Sequence, residues 1–253
     1  MKQRTLGKDL TVSAVSLGCM GLSHAFGAPT EKAEAVKLLR DAFDLGYTMF
    51  DTAECYTGIY ADGTISYNEE LVGEAIRPFR GRAMVATKLG VHHAPDNSLL
   101  VDSSPAAIRK AVEGSLKRLG TEVIDLYYQH RIDPKTAPEE VAGVMSELIK
   151  EGKITHWGIS EATEEYLRRA YAVCPVTAIQ NRYSMMARWH EALFPVLEEL
   201  NVGYVAFSPL ANGFLSGSYG KNSKFDAETD YRSRMPQFSA EGIDQNRTLL
   251  ALL

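Results

Sequence analysis

Cysteine is scarce. The 253-residue chain holds three (Cys19, Cys55 and Cys174), an odd number, far apart and without a CxxC pair. That excludes a disulfide framework and suits a reducing, cytoplasmic setting. Nor is there an excess of positive charge: 27 Lys plus Arg against 32 Asp plus Glu leave a net charge of −5. Such a balance argues against nucleic acid or an anionic membrane as the main partner, though it leaves room for an anionic cofactor. Long apolar runs are missing as well. Met1-Lys2-Gln3-Arg4 resembles the basic start of a signal peptide, and residues 11–30 carry no Asp, Glu, Lys or Arg. However, Lys8 and Asp9 interrupt any apolar region, and the uncharged stretch is full of Ser, Gly, Thr, His and Pro. It is too polar to span a bilayer and reads instead as a β-hairpin leading into the first core strand. No GxGxxG follows that strand; Gly18-Cys19-Met20-Gly21 is not the dinucleotide-binding turn. His92-His93 has no acid or cysteine at a ligating spacing, so no metal is expected.

What the chain does have is enough apolar residue, 45%, to bury a sizeable core, and one unit repeated along its length: helix, glycine, apolar strand, polar loop. The first helix is expected from about Glu31 to Leu45, with Thr30 as its N-cap and Gly46 as its stop. Ser66 and Glu69 have the spacing of a capping box for a helix through Ile76. Ser104-Pro105 opens a helix that stops at Gly120, and Pro138 opens one that ends at Gly152. Further helices are expected at about Glu164–Ala172 and Trp189–Leu200, and a last one is begun by DQNRTLLALL. Between them lie TMFD, AMVATK, IDLYYQH, ITHWGIS, VTAIQNRYS and YVAFSPL.

Strands and helices alternating at this spacing imply parallel βαβ units, and runs without apolar/polar alternation imply a sheet covered on both faces. A doubly wound sheet and a (β/α)8 barrel both satisfy this. The barrel is favoured because Asp51, Lys88, His130, Ser160, Gln180 with Asn181, and Ser208 all sit at strand C-terminal ends. A barrel brings such ends to one mouth, whereas an open sheet strings them along an edge.

Three of these, Asp51, Lys88 and His130, together with Tyr56 shortly after Asp51, are the four side chains a carbonyl-reducing site needs. A lysine closing a strand of Ala, Met and Val is buried, and a buried ammonium needs a carboxylate. Singly, each has a plainer reading: a structural ion pair, a rim aromatic, a core histidine. Together with FDTAxxY (Phe50 to Tyr56), TK (Thr87, Lys88), QH (Gln129, His130), WGIS (Trp157 to Ser160), QNRYS (Gln180 to Ser184) and FSPLxxGFLSG (Phe207 to Gly217), they carry a specific resemblance. The chain resembles the aldo-keto reductases from Gly7 to about Gly217, and YRSRMPQF (Tyr231 to Phe238) resembles their broad microbial and plant branch.

The resemblance implies NADPH-dependent reduction of an aldehyde or ketone, with the catalytic tetrad Asp51, Tyr56, Lys88 and His130. Tyr56 would be the general acid, Lys88 would lower its pKa from about 10, Asp51 would hold Lys88, and His130 would orient the substrate oxygen. It also implies a cofactor-binding set of Met20, Asp51, Ser160, Gln180, Tyr183, Ser208, Leu210, Gly213, Leu215 and Gly217. In that set Ser160 and Gln180 meet the carboxamide, Tyr183 or a neighbour stacks on the nicotinamide, and Ser208 to Gly217 cradles the pyrophosphate. Glu161 departs from the Asn that many members carry there. His24, Phe26, Tyr60, Met185 and Trp189 are candidate pocket walls, and Arg232 and Arg234 candidate phosphate contacts. A second class stays open, a cofactor-binding regulatory subunit of a membrane channel with the same fold, though no segment precedes the first hairpin. The expected organisation is one barrel domain over residues 1–253 with seven strands. The family's eighth strand, last helix and 2′-phosphate-reading loop are absent, so the domain is expected to be incomplete at its C-terminus.

Overall fold

The apolar runs form strands and the amphipathic stretches form helices, in alternation. The computed structural model describes residues 1–94 and 98–252. An antiparallel hairpin, β1 (Gln3–Leu6) and β2 (Leu10–Ser13), precedes β3 (Leu17–Gly18), α1 (Lys32–Asp44) and β4 (Met49–Asp51). A second hairpin, β5 (Thr57–Ile59) and β6 (Ile65–Tyr67), leads into α2 (Asn68–Ile76) and β7 (Met84–Leu89). A third, β8 (Val91–His93) and β9 (Leu99–Val101), precedes α3 (Pro105–Leu119) and β10 (Ile124–Gln129). Then come α4 (Pro138–Lys150), β11 (Ile154–Ser160), α5 (Glu164–Val173), β12 (Ala178–Arg182), α6 (Phe194–Leu200) and β13 (Gly203–Phe207), with short helices α7 (Ala240–Gln245) and α8 (Arg247–Leu250) at the end.

Seven parallel strands run in the order β13-β12-β11-β10-β7-β4-β3 and curl into a nearly closed barrel flanked by helices, as the sequence implied. Alternate strand residues face opposite sides. Met49, Ala86, Leu126, Tyr128 and Ala178 point into the barrel, where Leu6, Leu10 and Val12 of the first hairpin pack against them. The hairpin thus plugs the N-terminal end and leaves the C-terminal end as the open mouth. The intervening residues, among them Phe50, Val85, Tyr127, Trp157 and Ile179, face outward into the larger core beneath the helices.

Several expected helix ends differ. Ser104 does cap α3, accepting from the Ala107 amide at 3.4 Å, and Gly120 ends it in the left-handed conformation. Thr30 does not cap α1; its amide is drawn to the Leu22 carbonyl at 2.9 Å, and Glu31 takes the cap position. The Ser66–Glu69 capping box is not formed. Ser66 instead hydrogen-bonds with the Ser23 and Tyr60 hydroxyls, while Glu69, 1% exposed, accepts from Thr87 and Arg118 at 2.6 Å each. Long-range partners won over a local cap. Helix α6 starts only at Phe194, after a 3₁₀ turn, because Pro195 lacks the N–H and is accommodated only in a first turn.

Candidate active site

The inward-facing register explains how the site assembles. Asp51 lies two residues beyond Met49, Lys88 two beyond Ala86, His130 two beyond Tyr128, Ser160 two beyond Gly158 and Gln180 two beyond Ala178. Each is the next inward position after a core residue, at the level where the barrel opens. Gly158 makes room for this layer, since a Cβ there would lie 2.5 Å from the Tyr128 ring and from the Ala178 carbonyl oxygen.

At the floor, Lys88 is buried and donates to Asp51 Oδ1, to the Thr52 carbonyl at 2.8 Å and to the Tyr56 hydroxyl at 3.4 Å. Asp51 Oδ2 accepts from Gln180 Nε2 at 2.7 Å. Burial opposes the ammonium, but Asp51 and Tyr56 outweigh it and raise the Lys88 pKa, so the side chain stays charged. Tyr56 behaves differently from expectation. Lys88 does pull its pKa down, yet desolvation is the larger effect and leaves the phenol at about 12. Its ring meets that of His130 edge-on, with centroids 5.7 Å apart. His130 is buried; desolvation and the Lys88 and Arg131 charges hold it well below the usual imidazole range, in the neutral form. Its Nδ1 lies 3.5 Å from Cys55 Sγ, and burial pushes that thiol up to about 12.

Above this floor opens a cleft of about 1260 Å³, larger than a small carbonyl compound needs. Met20, Asp51, Ser160, Gln180, Ser208, Leu210 and Gly213 of the expected cofactor set line it. Ser160 is not a helix cap, the role Thr163 fills; its hydroxyl donates to the Gln180 carbonyl at 3.0 Å and accepts from Arg131 at 3.2 Å. Tyr183, Leu215 and Gly217 are not among the lining residues. The Tyr183 hydroxyl donates to Glu191 at 2.8 Å and its ring packs on Phe194 and Tyr204; Leu215 is buried under the loop; Gly217 is a left-handed stop at φ 71°. Of the candidate walls, His24 and Phe26 line the cleft, whereas Tyr60, Met185 and Trp189 do not.

The cleft fits a phosphate-bearing dinucleotide on two counts. Arg131, Arg182, Arg232 and Arg234 all line it. Ser208, Ala211, Asn212 and Gly213 have φ of 51°, 49°, 60° and 93°, a costly clustering of left-handed backbone of the kind that marks ligand loops. Arg131 and Arg182, with Phe207 beneath the Arg182 guanidinium at 5.5 Å, escaped the sequence reading. The signal available was a cation directly following His130 and Asn181. Glu161 stands at φ 57°, a conformation that Asn tolerates better, and its carboxylate accepts from the Arg182 amide. No metal-ligand cluster and no membrane-spanning helix occurs among the described residues.

A model of the aldo/keto reductase family matches residues 14–252. The curated "Probable aldo-keto reductase 1" of Glycine max is 36% identical over 240 residues, which span 94% of this chain and 67% of that protein. Among solved structures, a glycerol dehydrogenase from Gluconobacter oxydans matches with a TM-score of 0.83 at 31% identity, over 99% of this chain and 76% of that one. An aldo-keto reductase from Klebsiella pneumoniae in complex with NADPH matches at 0.67 and 30% identity, over 84% of this chain and 70% of its own.

Proposed function

The chain belongs to the aldo-keto reductase family and is an oxidoreductase; on that premise we propose that it reduces an aldehyde or ketone to the alcohol with NADPH, taking the proton from Tyr56. The observation that carries this reading is the Tyr56 hydroxyl at 3.4 Å from a buried, Asp51-paired Lys88, beside a neutral His130, at the bottom of the cleft. When bound, NADPH supplies the hydride to the carbonyl carbon. The protein's task is the oxygen. With its pKa at about 12, Tyr56 is fully protonated near neutrality and has a proton to give as negative charge builds on that oxygen. Lys88 then faces the resulting phenolate, which solvent reprotonates. Asp51 keeps Lys88 charged and in place, and Gln180 fixes the other Asp51 oxygen. Neutral His130 has one ring nitrogen facing Cys55, held as the thiol, which leaves Nε2 to donate to the carbonyl oxygen and orient it.

On this reading Arg131, Arg182 and Arg234 and the Ser208–Gly213 loop hold the phosphates, while Arg232 is tied to Asp230 and Tyr219, and Ser160 stands near the carboxamide. The free, buried cysteines accord with a cytoplasmic location. The test is consumption of NADPH by the purified protein over a panel of small aldehydes, ketones and dicarbonyls. Carbonyl-dependent oxidation is expected; cofactor binding without any oxidation across the panel would point to the regulatory reading of the fold instead.

A further inference from the structure

The loop that carries Tyr56 is held at both ends by one buried residue that the reduction step does not use. Asn68 opens α2 and is 1% exposed. Its Nδ2 donates to the Cys19 carbonyl at 2.8 Å and to the Ser23 hydroxyl at 3.1 Å. A carbonyl oxygen only accepts, so the amide nitrogen must lie on that side and Oδ1 on the other. Oδ1 lies 2.6 Å from the Thr52 hydroxyl, which is therefore the donor of that bond. The Asn68 backbone amide, in the first helical turn, has no partner within its own helix. It donates instead to the Tyr56 carbonyl at 3.0 Å. One residue thus grips the first and last members of the segment from Thr52 to Tyr56.

Both ends of that segment also meet Lys88, through the Thr52 carbonyl at 2.8 Å and the Tyr56 hydroxyl at 3.4 Å. Strand register places Lys88 and Asp51, but β4 ends at Asp51 and Tyr56 lies beyond it. The distance from the hydroxyl to the ammonium is therefore set by the loop. Within the loop the bonds are long: Glu54 amide to Lys88 carbonyl at 3.2 Å, Tyr56 amide to Ala53 carbonyl at 3.1 Å. The short contact is the buried one between Thr52 and Asn68. We infer that Asn68 and Thr52 form a positioning pair for the reduction, holding the Tyr56 hydroxyl where Lys88 can stabilise the phenolate it leaves. This rests on the reductase reading above. Through Cys19 and Ser23 the same anchor ties in the loop bearing Met20, which lines the cleft.

Asn68→Ala would remove three side-chain bonds at once and weaken the fold, so the sharper variants are at Thr52. Valine has the shape of threonine without the hydroxyl, and serine keeps the donor. Each is made in wild type and in Tyr56→Phe, and assayed with propanal and NADPH. Thr52→Val is expected to lower kcat about tenfold, the order of loss when a reacting group is slightly misplaced. Its KM for propanal and its NADPH affinity should stay within about threefold, since no binding contact is removed. Thr52→Ser should recover most of the lost rate. In the Tyr56→Phe background, where no phenol remains to be positioned, Thr52→Val should change the residual rate by less than about twofold. A Thr52→Val enzyme at the wild-type rate, or an equal loss in both backgrounds, would overturn the inference and leave the reductase standing. A Tyr56→Phe variant as fast as wild type would remove the proton donor itself, and the inference with it.

Discussion

At the scale of single residues, the site is a set of groups whose charge states are fixed by burial against one ion pair. Lys88 and Asp51 neutralise each other within the barrel, and the groups around them, Tyr56, Cys55 and His130, are all held uncharged. His130 makes this measurable. Its folded pKa lies well below the unfolded value near 6.5, so between those two values the unfolded chain binds the extra proton. The stability contributed by neutral His130 is therefore present above pH 6.5 and lost as pH falls towards the folded pKa, by up to about 1.4 kcal/mol per pH unit. His24 and His93 are lowered too and act in the same direction. Urea midpoints measured from pH 7 down to pH 5 should fall for wild type and fall less steeply for His130→Gln. Equal slopes would mean that His130 is not held neutral in the fold.

At the scale of elements, the convergence of Asp51, Tyr56, Lys88 and His130 was legible because it obeys the strand period: each of them follows a core residue by two positions, or by the short Thr52–Cys55 turn in the case of Tyr56. The same rule makes Gly158 a sensitive point. Gly158→Ala would push a methyl to 2.5 Å from Tyr128, and overpacking of this kind costs about 1–3 kcal/mol; thermal melting of the variant should show the loss, together with weakened cofactor binding at the adjoining Ser160 and Gln180. An unchanged melting temperature would show that β10 and β11 are not packed this tightly. Legibility failed where a local signal had a distant competitor. Ser66 and Glu69 spell a capping box, but Glu69 serves Thr87 on β7 and Arg118 on α3, partners 18 and 49 residues away that spacing cannot reveal. The Tyr183 ring, which the resemblance implied as a stacking partner, is likewise engaged by Glu191, Phe194 and Tyr204. Gln129 and Trp157, motif residues both, prove to be anchors, Gln129 bonded to Ser103 and Tyr166 and Trp157 to the Pro175 carbonyl.

At the scale of the whole molecule, seven strands were countable from the sequence, and seven form the sheet. What composition could not convey is how unevenly they are buried. Every residue of β10 is buried, whereas β13, at one end of the sheet, has none buried and one exposed. Local opening follows such differences. Amide exchange should therefore be slowest in β7, β10 and β11 and markedly faster in β13; uniform protection across all seven strands would contradict this gradient. The Ser208–Gly213 loop, proposed to hold the cofactor phosphates, follows β13, so on that proposal cofactor binding is expected to slow exchange there most.

The central claim, that Tyr56 gives the proton at a site the rest of the barrel merely holds, is tested most directly by Tyr56→Phe. The variant keeps the ring between His24 and His130 and loses only the hydroxyl. NADPH affinity, followed by fluorescence titration, is expected to stay within about threefold of wild type, while carbonyl-dependent NADPH oxidation falls by roughly 10²–10⁴-fold, the size of a general-acid contribution. Oxidation at the wild-type rate with binding intact would contradict the account and move the proton donor to another group at the mouth.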